Sequence, residues 1–118
     1  MDDKSANILY FTPEINNLAK NISYWRSKKE FYTPTSLNTM SERHDVLGKL
    51  MLVVTEVAEA AESVRDGDIE HFREEIADVF IRLLDISGTM NLNIAGAIRD
   101  KMVKNEERPP KHGRKVEL

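Results

Sequence analysis

Two acidic pairs with the same spacing, Glu56-x-x-Glu59 and Glu75-x-x-Asp78, lie in the middle of the chain. Residues three apart on a helix share a face, so each pair would direct two carboxylates the same way. Both pairs lie in core-like apolar runs, where clustered anionic oxygens are costly unless a cation neutralises them. Such oxygens suit magnesium, manganese or calcium better than zinc. The pattern therefore predicts a divalent-cation site made by these four residues.

The segment Asp66-Gly67-Asp68 offers a tight turn between the two acidic runs. It would fold them as an antiparallel helical hairpin on which the four carboxylates converge. The alternative is two solvated charged faces, because 20 acidic residues among 118 produce some such spacings by chance. Repetition of the pair on adjacent predicted helices favours a shared site. None of the three histidines completes a Glu-x-x-His motif, which argues against a ferritin-like di-iron centre.

A third group of polar residues follows near the carboxyl end of the chain. Lys101, Asn105 and Arg108 would share one face of a helix, and two cations with an amide suit the oxygens of a polyphosphate. The alternative is a basic helix end favoured by the helix dipole. Arg82 lies one turn beyond Asp78, where it could meet a phosphate oxygen or form an ion pair. Next to a metal cluster, these cations would suit a nucleoside triphosphate.

Length and composition limit the classes of protein that this chain can represent. We expect a single domain over residues 1–118, because this length supports one core. The absence of cysteine excludes disulfides and thiolate metal sites and fits the reducing cytoplasm. An acidic amino terminus and the lack of an apolar run of roughly 20 residues argue against a signal peptide and a membrane span. The net charge of -3 argues against a general nucleic-acid binder. We expect a cytoplasmic protein with neither nucleic acid nor membrane as partner.

Start and stop signals predict four helices, and no stretch shows the clean alternation of a strand. The second helix starts at Thr39, where Glu42 would complete a capping box, or at Ser41. The third helix ends near Gly88 and the fourth before Pro109-Pro110. The starts of the first, third and fourth helices are Thr12-Pro13, Asp68 and Asn93. We therefore expect an all-α four-helix bundle, completed by oligomerisation because its helices carry so much apolar surface.

The three polar motifs, in this order, resemble the MazG-like all-α nucleoside triphosphate pyrophosphohydrolases. The matching segments are 55–62, 75–79 and 101–109, and the ending Lys111-His112-Gly113 is similar to the small single-domain members of bacteria and phages. The resemblance implies Mg2+-dependent hydrolysis of a nucleoside triphosphate, a deoxynucleotide in the first instance, to the monophosphate and pyrophosphate. Mn2+ is a possible substitute for Mg2+. The resemblance also implies a homodimer or homotetramer.

Carried over by position, this resemblance makes Glu56, Glu59, Glu75 and Asp78 the magnesium ligands. Glu56 or Glu59 would be the general base that aligns and deprotonates the attacking water, and the spacing does not choose between them. Many relatives have a glutamate where this chain has Thr55, so the number of metal ions stays open. Residues expected to contact the substrate are Lys101, Asn105, Arg108, Arg82, His112 and Trp25.

Three aromatic residues could contribute to recognition of the base. Trp25 lies on the apolar stripe of the first helix, so it either packs in the core or stacks on a base. Phe31 and Tyr32 lie in a loop, where they either pack within the loop or form part of a base pocket.

Other functions remain compatible with the sequence. A dUTPase-like enzyme or a phosphoribosyl-ATP pyrophosphohydrolase would share the metal site and differ in the base pocket. A noncatalytic helical interaction module would carry the same acidic pairs as solvated charges. Magnesium-dependent release of pyrophosphate separates the enzymes from the module.

Overall fold

The structure is a computed structural model that describes residues 12–29 and 32–107. Within these residues it contains four helices and no strand. The helices are α1 (Thr12–Lys28), α2 (Met40–Arg65), α3 (Ile69–Thr89) and α4 (Ile94–Glu106). The all-α fold with four helices that the sequence predicts is therefore confirmed. None of these four helices combines the length and apolar character needed to cross a membrane.

Short polar side chains start three of the helices at the predicted positions. The hydroxyl of Thr39 accepts from the amide of Glu42 at 3.1 Å, and the Glu42 carboxylate accepts from the amide of Thr39 at 2.9 Å. This capping box satisfies two amides at the start of α2 and selects Thr39 over Ser41 as its cap. Asp68 caps α3 and Asn93 caps α4, each accepting from the amide three residues later at 3.0 Å.

The turn between α2 and α3 has the geometry that a glycine allows. Gly67 has a φ of 67°, in the left-handed region, and its amide donates to the carbonyl of Val64 at 3.1 Å. The amide of Asp68 donates to the carbonyl of Ser63 at 2.9 Å. These two bonds form a Schellman motif, which satisfies the last carbonyls of α2 and reverses the chain. α2 and α3 then pack along each other as the predicted hairpin.

Residues 17–92 form one of two units into which the described chain divides. In this unit α1 approaches the end of α3 closely. A Cβ atom placed on Gly88 would overlap the backbone carbonyl of Ala19, a residue that is only 1% exposed. The hydroxyl of Ser23, one turn after Ala19, is 2.6 Å from the hydroxyl of Thr89, the residue that follows Gly88. Small residues therefore allow α1 to pack against the helix that carries the second acidic pair.

Only part of the apolar run 50–61 is buried in α2. The buried residues of α2 are Val46, Val53, Ala60 and Ser63. Five large apolar residues of the run are 40% to 63% exposed: Leu50, Met51, Leu52, Val54 and Val57. The run is therefore core-like in composition, but most of its large apolar side chains are exposed in the single chain. A helix that is apolar on every side has no preferred face in its own sequence, so its packing partner selects which side is buried.

The second unit comprises residues 12–16 and 93–107 among those described. The side-chain amide of Asn16 donates to Oδ1 of Asn93 at 2.8 Å, and Oδ1 of Asn16 accepts from the amide of Ala95 at 3.0 Å. Two asparagines thus satisfy the first amides of α4 and tie this helix to residue 16. α4 ends at Glu106. The predicted stop at Pro109-Pro110 lies outside the described residues.

Candidate active site

The two acidic pairs meet on the hairpin formed by α2 and α3. Carboxylate oxygens of Glu56, Glu75 and Asp78 all lie within 4.8 Å of one another. Glu75 is buried, Glu56 is partly buried and Asp78 is exposed, so the group extends from the helix interface to solvent. These three residues are called the carboxylate triad below. The structure thus brings together three of the four residues that the sequence predicts as metal ligands.

The side chain of Glu75 lies deepest in the triad and is 7% exposed as a residue. Its Oε2 atom is buried and has no hydrogen-bond partner within the described residues. The adjacent carboxylate of Glu56, together with burial and the neighbouring Glu59, raises the pKa of Glu75 to about 7. Without a bound cation, this carboxyl group therefore keeps its proton to a higher pH than an ordinary glutamate does.

Glu59 lies outside the triad but close to it. The residue is exposed, and its negative charge contributes to the raised pKa of Glu75. The carboxylates of Glu56, Glu59 and Glu75 therefore influence one another. Glu59 differs from the other three residues of the two motifs because it is not part of the triad.

Arg82 contributes a positive charge to the same cluster. Its Nη2 atom is 3.4 Å from Oε1 of Glu56, and the two side chains are 28% and 15% exposed. Arg82 follows Asp78 by one helical turn, as the sequence indicates. Of the two roles that the sequence leaves open for Arg82, the ion pair is the one present in this structure.

His71 and Ser63 form a further contact with Glu75. Nε2 of His71 is 3.2 Å from Oε1 of Glu75, and Nδ1 is 2.7 Å from the hydroxyl of Ser63. The sequence does not single out either residue. The separation of His71 from Glu75 by four positions was an available signal, because residues at that spacing are neighbours on a helix. The contact with Ser63 depends on how α2 lies against α3, which no local pattern contains.

Asp85 forms a separate buried group two helical turns beyond Asp78. It is 3% exposed, and its Oδ2 atom accepts from the hydroxyl of Thr33 at 2.7 Å and from Nε of Arg26 at 3.1 Å. Its Oδ1 atom accepts from the hydroxyl of Thr89 at 3.2 Å. Asp85 therefore ties both α1 and the loop before α2 to the helix that carries Glu75 and Asp78.

A comparison with protein families decides what kind of domain carries this cluster. A model of the MazG nucleotide pyrophosphohydrolase domain matches residues 40–113, more than half of the 118-residue chain. The chain belongs to the MazG family. Membership indicates a hydrolase that acts on nucleotide pyrophosphate bonds. Comparisons with curated proteins and with solved structures find no match.

The acidic cluster of this MazG domain fits a divalent cation. Three carboxylate oxygens from two helices converge, and a buried oxygen of Glu75 has no protein partner among the described residues. Oxygen donors of this kind are those that Mg2+ and Mn2+ prefer. A cation at this point would also remove the repulsion that keeps Glu75 partly protonated.

Among the predicted substrate residues of the MazG domain, Lys101 and Asn105 belong to α4 and Trp25 belongs to α1. Lys101 and Asn105 are exposed on α4, four positions apart and so on one side of the helix. Trp25 is 50% exposed on α1 and Tyr32 is 64% exposed, so neither is a core residue. Of the two alternatives for Trp25, core packing is not the one found in this structure, because half of the residue's surface is exposed. Arg108, His112 and Phe31 lie outside the described residues.

Proposed function

We propose that this MazG domain hydrolyses a nucleoside triphosphate, a deoxynucleotide in the first instance, to the nucleoside monophosphate and pyrophosphate. The reaction would depend on Mg2+, with Mn2+ as a possible substitute. Its role would be to clear aberrant nucleotides or to reshape the nucleotide pool of the cytoplasm. The family of the chain supports the reaction class, and the acidic cluster supports the metal dependence.

The observation that carries this proposal is the unpartnered Oε2 atom of Glu75 beside the oxygens of Glu56 and Asp78. Burying a polar oxygen without a partner costs free energy, and so does crowding three carboxylates. A protein retains such an arrangement when a ligand compensates for it. A solvated charged face, as in a noncatalytic interaction module, would not bury Glu75.

In this proposal Glu56, Glu75 and Asp78 hold the cation. Mg2+ at this position would share the negative charge of the phosphates and make a nearby water easier to deprotonate. Glu59 is our choice as general base, because it is exposed and lies outside the triad, whereas Glu56 is already paired with Arg82. Glu59 would accept a proton from water as the water oxygen bonds to the α-phosphorus. The bond between this phosphorus and the departing pyrophosphate would break in the same step.

The remaining predicted residues complete the proposal for the substrate. Lys101, Asn105 and Arg108 would contact phosphate or sugar oxygens, with Arg82 and His112 as further phosphate contacts. Trp25 is exposed, which leaves its ring free to stack on a base. These assignments rest on the spacing of the residues and on their match to the family motifs.

A homodimer or homotetramer is also part of the proposal. The exposed apolar residues of α2 form a surface that a second copy of the chain would cover. Analytical ultracentrifugation of the full chain tests this directly, since a monomer at micromolar concentration would contradict it.

A product assay over a panel of substrates tests the proposed reaction. The panel contains the common NTPs and dNTPs, including dUTP, together with phosphoribosyl-ATP, and both monophosphate and pyrophosphate are quantified with Mg2+ and with excess chelator. We expect equal amounts of the two products from a deoxynucleotide, and no product with chelator. Preference for dUTP or phosphoribosyl-ATP would select one of the two related enzymes. Absence of product from every substrate would favour the interaction module.

A further inference from the structure

The side chain of His71 bridges the two helices of the hairpin at the edge of the carboxylate triad. It contacts Ser63 on α2 at 2.7 Å and Glu75, one turn further along α3, at 3.2 Å. Ser63 is 2% exposed and Glu75 is 7% exposed, while the imidazole itself is 48% exposed. The two ends of the bridge are therefore buried, and the ring is held from both sides.

Both ring nitrogens of His71 have a polar neighbour. Nε2 faces Oε1 of Glu75, which can accept when this carboxylate is ionised, and Nδ1 faces the hydroxyl of Ser63. That hydroxyl donates to the backbone carbonyl of Glu59 at 3.1 Å, which keeps Ser63 fixed to the helical turn that carries the first acidic motif. The imidazole thus links the two motifs.

The two carboxylate oxygens of Glu75 have different surroundings. Oε1 faces Nε2 of the imidazole, whereas Oε2 is buried without a partner among the described residues. Rotation of the carboxylate away from this orientation would break the contact with His71. The histidine therefore restrains which oxygen of Glu75 is presented to the triad.

We propose that His71, supported by Ser63, is a positioning residue that orients Glu75 for binding of a divalent cation. The inference rests on the proposed function, because it assumes that the triad holds a metal ion. Carboxylates that bind metals are commonly fixed by a second hydrogen bond, and loss of that bond typically weakens metal binding by about 10-fold to 100-fold. His71 is close enough to Glu75 to supply this bond.

Binding of Mn2+ alone to the full chain, measured by isothermal titration calorimetry, tests the role of His71. His71→Phe removes both contacts and should raise the Kd for Mn2+ by about 10-fold or more. His71→Gln keeps an N–H donor near the position of Nε2, so its Kd should stay within about threefold of wild type. Ser63→Ala removes the support of the ring and should weaken binding less than His71→Phe does. His44→Phe is the matched control, because His44 is an exposed helical histidine whose side chain has no hydrogen bond to any described residue.

The melting temperature of each metal-free variant separates positioning from a merely structural tie. If His71 only holds α2 against α3, His71→Phe and His71→Gln will both melt earlier while the Kd for Mn2+ stays within twofold of wild type, which overturns the inference. Equal loss of affinity in His71→Gln and His71→Phe also overturns it. If His71→Phe does not fold, the other two variants decide. The inference is then overturned when Ser63→Ala binds Mn2+ as tightly as wild type and His71→Gln binds Mn2+ more weakly. If the wild type binds no Mn2+ and releases no pyrophosphate, the proposed function itself has failed.

Discussion

Nη2 of Arg82 lies 3.4 Å from Oε1 of Glu56, so α3 supplies a cation to a carboxylate of α2 at the edge of the triad. Arg82→Met removes this cation and leaves the carboxylates to repel one another. For a partly exposed pair we expect a loss of about 1 kcal/mol in the free energy of unfolding without metal. Mg2+ should then raise the melting temperature more in this variant than in wild type, because it relieves more repulsion.

Arg73→Met is the control for this measurement. Arg73 lies on the same helix, and its contact with Glu70 at 3.9 Å is between two largely exposed side chains. Its loss should change neither the melting temperature nor the response to Mg2+. An unchanged response to Mg2+ in Arg82→Met would show that Arg82 does not act on the triad.

The raised pKa of Glu75 predicts how the metal-free protein responds to pH. The pKa is about 7 in the folded chain against an ordinary value of 4.5, so the folded state binds this proton more tightly than the unfolded state does. The resulting stabilisation is fully present below pH 4.5 and is lost as the pH rises through about 7. The melting temperature should therefore fall over this range in wild type and fall less in Glu75→Gln. Glu74→Gln, at the exposed neighbouring position, should keep the wild-type slope.

Binding of a divalent cation should release the proton that Glu75 holds. Since the ion binds the ionised form, its affinity should rise as the pH increases through about 7, and the number of protons released should fall above that pH. Calorimetric titration of Mn2+ in two buffers with different ionisation enthalpies measures the released protons. Identical heats in both buffers at pH 6.5 would contradict the assignment of Glu75 as a ligand.

The buried hydrogen bonds of Asp85 should stabilise the fold without involving the triad. Asp85→Ala removes the acceptor for Thr33, Arg26 and Thr89 and should cost about 3–5 kcal/mol of unfolding free energy in a urea titration. Thr33→Val removes one donor and should cost about 1–2 kcal/mol. Thr35→Val is the control, because Thr35 is exposed and has no hydrogen bond to a described residue. Equal stability of the two threonine variants would contradict the role of Thr33.

Replacing Gly88 and Gly48 by alanine should change the free energy of unfolding in opposite directions. At Gly88 a Cβ would overlap the carbonyl of Ala19, so Gly88→Ala should lower the free energy of unfolding by about 1–3 kcal/mol. At Gly48 a Cβ would meet no atom within 4 Å beyond the backbone of its own helix, so Gly48→Ala should raise the free energy of unfolding by about 0.5–1 kcal/mol through helix propensity. Urea titrations of both variants measure this difference in sign.

The helices and their caps could be predicted because the signals are local. Thr39 with Glu42, Asp68 and Asn93 each bond to backbone amides within three residues, so the sequence contains the whole interaction. The two acidic motifs were predictable for the same reason, since each lies within one turn of a helix. Their approach to one another followed from the turn at Gly67.

The features that sequence analysis missed depend on distant contacts. The link between Thr33 and Asp85 joins residues 52 positions apart, and the link between Ser63 and His71 requires a particular rotation of α2 against α3. The exposed side of α2 is a further case, because an apolar run such as 50–61 does not reveal which of its faces another helix covers.

Release of pyrophosphate by variants of the triad tests the central claim most directly. Glu56→Gln, Glu75→Gln and Asp78→Asn each remove one carboxylate charge, and Glu74→Gln removes the same charge at an exposed position outside the triad. With saturating Mg2+ and a deoxynucleoside triphosphate, we predict at least about 100-fold slower release in the three triad variants and wild-type release in Glu74→Gln. Wild-type rates in folded triad variants would contradict the claim that these carboxylates hold the catalytic metal.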